Sequence, residues 1–138
     1  MAAAALTAVL AGRTEAEINA EVDQIEARDI VKDFKQSDGA DHFSGEGSGN
    51  LQKWIKYKRR LRGAMRRANA VFKHMFLGTG ANCEIDELKL QALPSSAKEL
   101  LLDVMTSTLC GTAHGYLIDF ENGLDGSGAL IFLDKNYV

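Results

Sequence analysis

One apolar seam runs through residues 51–77, LQKWIKYKRRLRGAMRRANAVFKHMFL, and every Lys, Arg, Asp or Glu in that stretch is a cation. Trp54, Tyr57, Leu61, Ala64, Ala68, Val71 and Met75 recur at alternating spacings of three and four, the pattern of one buried side of an α-helix. Met65 and Phe72 widen the stripe. At about 100° per residue, Lys56, Arg60, Arg67 and His74 fall roughly opposite it, with Arg59 and Arg66 on one shoulder. Such a chain must bury one side of a long helix and leave the other in water or against an anion. Gly63 weakens an unbroken helix by about 1 kcal/mol relative to alanine.

The segment differs sharply in charge from what flanks it. Residues 51–77 hold nine Lys/Arg and no acid, whereas residues 1–50 hold four against ten Asp/Glu and residues 78–138 three against nine. The three parts therefore carry −6, +9 and −6, and their total is the net charge of −3. Segregation of this kind points to an anionic partner, or to an acidic surface of the same protein. The candidate contact residues are Lys53, Lys56, Arg59, Arg60, Arg66, Arg67 and His74.

Before this segment, Thr14-Glu-Ala-Glu17 predicts a capping box that opens a helix running to about Gln36, with Ile18, Val22 and Ile25 inward and Ile30 and Phe34 extending the face less regularly. Its Glu21, Asp23, Glu26, Asp29 and Asp33 are placed to meet the arginines, within the chain or between subunits. MAAAALTAVLAG has no basic start and reads as a short helix or frayed end rather than a secretory signal. Residues 37–50, SDGADHFSGEGSGN, read as a flexible loop.

After it, a short helix over about 83–92 points Ile85 and Leu88 inward, and Pro94 breaks it. Ser96-Ala-Lys-Glu99 then opens a helix with Leu100, Leu101, Val104, Met105 and Leu109 on one stripe. YLIDF (116–120) and ALIFLDK (129–135) read as two strands around the turn-rich ENGLDGSG, an antiparallel hairpin. The fold expected is α+β and mainly helical. One domain over residues 1–138 packs three or four helices around Trp54, Leu61, Phe72, Leu101 and Val104, with a C-terminal antiparallel β-hairpin against them.

Motifs for chemistry are absent. His42 stands beside Asp41 without further metal ligands, and ENGLDGSG misses the spacing of a calcium loop. Ser107, His114 and Asp119 have the residue types of a hydrolytic triad but not a nucleophile-elbow sequence. The glycines at 45–49 and 78–80 lack the Lys-Ser/Thr of a phosphate loop. No catalytic residue, metal or cofactor is expected. Cys83 and Cys110 suit free thiols in a reducing compartment, and no stretch has the length and apolarity of a membrane span, so the expected location is cytoplasmic.

The function expected is that of a small non-enzymatic binding or assembly protein, meeting an anionic partner through the amphipathic helix at 53–74. Nucleic acid is the sharper version. Trp54 and Tyr57 have the rings for base stacking, but their place on the seam assigns them to the core. The alternative is a protein–protein contact or a self-assembling homo-oligomer whose basic helix pairs with an acidic surface. An enzyme built from scattered residues is the third class.

Overall fold

A computed structural model describes residues 2–36, 42–78 and 82–138. Its regular elements are all helical: α1 (Ala2–Leu10), α2 (Glu15–Val22), α3 (Ala27–Gln36), α4 (Asn50–Ala68), a 3₁₀ segment (Ala70–His74), α5 (Glu87–Gln91), α6 (Ser95–Thr108), α7 (Gly111–Gly115), α8 (Ile118–Glu121) and α9 (Gly126–Tyr137). Helix α6 lies at the centre, with α2 and α3 on it and α9 against it, while α4 packs on α3 and α9. Helix α1 covers α5 and the 3₁₀ segment, and Ala5 and Val9 are its buried residues.

Among the described residues there is no strand, so the expected α+β fold with its C-terminal hairpin is corrected to an all-helical one. The pairing that does occur is limited to single bridges at Phe43–Leu109 and Phe76–Ile85. A short unbroken apolar run such as ALIFL does not distinguish a buried strand from a buried helix. Burial at Gly126, Ser127, Ala129, Leu130, Ile131 and Leu133, three of them consecutive, with Phe132 exposed, does not alternate as a strand facing one layer would. The glycines and serine of GSG, which suggested a turn, lie in the first turn of α9, where Asp125 caps by accepting from the Gly128 amide at 2.9 Å. YLIDF falls instead across the end of α7 and into α8.

Two further differences have local causes. The acidic helix is two helices, because the face built on Ile18 and Val22 and the face built on Ile30 and Phe34 differ in phase; the chain turns between them at Asp23–Glu26. The capping box at its start forms, Thr14 accepting from the Glu17 amide and Glu17 from the Thr14 amide. Helix α5 is shorter than expected, capped by Asp86, and buries Leu90 while Leu88 is 50% exposed. The core itself forms around Trp54, Leu61, Phe72, Leu101 and Val104, all fully buried.

Of the 37–50 loop, residues 37–41 lie outside the described residues. Phe43 is buried against Trp54, Tyr57 and Tyr137, with ring centroids 5.2, 6.1 and 4.9 Å away. The Cys110 amide donates to the Phe43 carbonyl at 3.0 Å, and the Ala113 amide to the Ser44 carbonyl at 2.8 Å. These contacts fasten the chain ahead of α4 to the α6–α7 junction.

Candidate anion-binding face on α4

Helix α4 buries Trp54, Ile55, Tyr57, Lys58, Leu61, Ala64 and Met65, and carries no acid. Projected around its axis, the rest runs from Arg62 through Arg66, Arg59, Lys56, Arg67 and Arg60 to Lys53, about half of the circumference. Gln52 and Gly63 are the uncharged residues exposed or half-buried inside that arc, and Ile55, which also falls in it between Arg62 and Arg66, is buried. At 19 residues the helix is about 28 Å long, so the cations form a ridge rather than a point.

The ridge is unevenly engaged. Arg67 makes a two-pronged contact with Asp33 of α3, at 2.7 and 3.0 Å, and this bond raises its pKa above the ordinary arginine value. Arg62 donates to the Gly78 carbonyl at 3.3 Å. Among the described residues, no carboxylate forms an ion pair with exposed Lys53, Lys56 or Arg66. Lys53 also sits in the first turn, where the helix dipole disfavours a cation by about 0.3–1 kcal/mol.

The acids expected to face the arginines are thus divided. Asp33 reaches Arg67; Glu21 binds Arg13 and Asn69; Glu26 pairs with Arg28; Asp23 and Asp29 point into solvent.

His74 does not join the ridge. It lies in the 3₁₀ segment, where the α-helical projection no longer holds, and lines a hollow with Val9, Leu10 and Arg13. Partial burial, then the neighbouring Lys73 and Lys89, holds its imidazole below the ordinary 6.5, so it is neutral at physiological pH and adds no charge there. A depressed histidine pKa means that stability is complete above about 6.5 and is lost as pH falls through the folded-state value. The expected result is that His74→Gln loses less thermal stability than the wild type when the buffer is taken from about pH 7 to about pH 5. Equal losses in the two proteins would remove this role.

Two features of the region carry no sequence motif. The first is Lys58, whose side chain is 1% exposed. Its Nζ donates to Asp134 Oδ1 of α9 at 2.9 Å and to the Asn82 carbonyl at 3.1 Å, and Trp54 Nε1 donates to the same Asp134 oxygen at 2.9 Å. The spacing of Trp54, Lys58, Leu61 and Met65 already puts this lysine on the apolar side of the helix. One of the nine cations therefore holds α4 to α9 rather than facing a partner.

The second is a cleft of about 360 Å³ at the N-terminal half of α4. Lys53, Lys56 and Arg60 form one wall, His42 and Ser44 the other, and the rings of Phe43 and Tyr57 lie between them. The Tyr57 hydroxyl is turned inward to Thr108 Oγ1 at 2.7 Å, and burial pushes its pKa well up, so it offers the cleft a ring and no acid. Among the described residues no cluster of three metal-ligating side chains occurs. Nor, among them, is any helix long and apolar enough to cross a membrane. The geometry stands alone here: comparison of the chain with protein-family models, with curated proteins and with solved structures finds no match.

Proposed function

We propose that the exposed half of α4 is a polyanion-binding face, and that the protein acts as a small non-enzymatic binding or assembly module for nucleic acid. The observation that supports this is the ridge of seven Lys/Arg without an acid on its helix, in a chain of net charge −3. Lys and Arg at this density bind phosphates chiefly by releasing counterions, and arginine's planar fork adds directional bonds to phosphate oxygens. The two free cysteines suit a reducing compartment, and the cytoplasm is the proposed site of action.

The test is a salt titration of binding to unphosphorylated single- and double-stranded oligonucleotides. Wild type is compared with a variant carrying Lys53, Lys56, Arg59 and Arg66 as glutamine. These four spare Arg67, which ties α4 to α3, and Lys58, which ties it to α9. For duplex DNA the slope of log affinity against log salt should shrink by about 0.9 per lost phosphate contact, and affinity at about 0.1 M salt should fall by about 100-fold or more. Unchanged slope and affinity in a folded variant would overturn the assignment.

A second reading has its own observation. Asp23 and Asp29 are exposed and, among the described residues, outside any ion pair, so the α2–α3 turn of one copy can meet the ridge of another. Light scattering without ligand, at low and high salt, separates this homo-oligomer from the nucleic-acid reading: assemblies that fall apart in salt support it.

A further inference from the structure

The cleft beside Lys53 and Lys56 differs in kind from the ridge it adjoins. A ridge contacts a polymer along its length, whereas a concavity takes a single group. Residues 53, 56 and 60 are spaced three and four apart, so their cationic side chains leave the same strip of α4. The facing wall is held by backbone bonds, the Phe43 and Ser44 carbonyls accepting from Cys110 and Ala113. Ser44 Oγ accepts from the Glu46 amide at 3.2 Å, which leaves its own O–H to donate. Among the described residues no carboxylate lines the space.

Lys53, Lys56 and a hydroxyl donor around one concavity suit a group with several terminal oxygens and more than one negative charge. A phosphomonoester carries a charge of about −1.5 to −2 at neutral pH and three such oxygens. An internal phosphodiester has one charge and two oxygens. The buried faces of Phe43 and Tyr57 add an apolar floor. A volume of about 360 Å³ is small for a ligand site and matches one nucleotide unit better than a longer stretch of chain.

We propose that this cleft is a nucleotide phosphomonoester site, filled by the phosphorylated end of an oligonucleotide or by a free mononucleotide. Lys53 and Lys56 hold the phosphate, and Ser44 donates to it. The inference rests on the polyanion reading for the oligonucleotide case, and the test separates the two.

Binding is measured by anisotropy and calorimetry for one single strand bearing a 5′-phosphate, a 3′-phosphate or neither, and for a mononucleotide against its nucleoside. The proteins are wild type, K53Q/K56Q, and R66Q at the far end of the ridge; all three substituted residues are exposed, and circular dichroism checks their folding. A phosphorylated end should bind about tenfold tighter than a bare one in wild type and R66Q, with the ratio falling to about one in K53Q/K56Q. Equal affinity for phosphorylated and bare strands, with no mononucleotide binding, overturns the cleft and leaves the ridge intact. A phosphate preference that survives K53Q/K56Q also overturns it. Mononucleotide binding that is lost in K53Q/K56Q, without any oligonucleotide binding, supports the cleft and removes the ridge. No binding of any probe overturns both.

Discussion

Replacing Asp134 with alanine is expected to cost about 3–5 kcal/mol, the range for leaving one member of a buried ion pair without its partner. For a chain of this length that is about 10–17 °C in Tm. The cost comes from what remains. Lys58 is 1% exposed, and without Asp134 its ammonium keeps the Asn82 carbonyl at 3.1 Å while the Trp54 N–H loses its acceptor. Lys58→Met should cost less, because Asp134 is 17% exposed, reaches water, and retains the Trp54 bond. The double variant Lys58→Met/Asp134→Leu should recover much of the loss, since an apolar pair of similar volume removes the uncompensated charge. Thermal melts of the three variants check this order. A melting temperature for Asp134→Ala within about 2 °C of wild type would mean that the pair does not hold α4 to α9.

The same pair shows how far the sequence can be read. Periodicity placed the seam of α4 correctly, because burial on a helix repeats at a spacing visible in the residues themselves: Trp54, Tyr57, Leu61 and Ala64 are all buried. The Thr14–Glu17 capping box was legible for the same reason, being local to four residues. Lys58 stood on the apolar arc, which was a signal, but its partner lies 76 residues away on an element read as a strand. Helix α9 was misread because ALIFL fits two periodicities at once, and only docking on α6 and α4 decides between them.

The candidate site was legible as charge and illegible as shape. Counting Lys and Arg located the ridge, and helical geometry put Lys53, Lys56, Arg59, Arg60, Arg66 and Arg67 on it. His74 was misplaced because the chain changes from α-helix to 3₁₀ after Ala68, with Asn69 accepting from the Val71 amide at the junction. Nothing in the composition of residues 42–44 marks a wall opposite Lys53, since that wall depends on Phe43 inserting among rings from α4 and α9. Concavity is a tertiary property, and no spacing rule carries it.

Gly126→Ala tests the packing that replaced the hairpin. A Cβ built on Gly126 would lie 2.5 Å from the Leu102 amide nitrogen, 2.5 Å from the Lys98 carbonyl oxygen and 2.9 Å from Leu101 Cβ. Lys98 and Leu102 are four apart, one rung of the α6 hydrogen-bond ladder, so the clash is with backbone and no rotamer relieves it. Helix α9 must move away from α6 by nearly 1 Å, opening the layer that buries Leu130 and Leu133 beneath it. Overpacking of this sort costs about 1–3 kcal/mol and sometimes more, against a gain of at most about 1 kcal/mol from alanine's helix propensity. A net loss of about 2 kcal/mol is expected, with Gly126→Val worse and Gly123→Ala, where a Cβ meets nothing within 4 Å, close to neutral. Urea melts of these three variants provide the check. Were Gly126→Ala to match Gly123→Ala in stability, the close approach of α9 to α6 would be wrong, and with it the arrangement that brings Asp134 to Lys58.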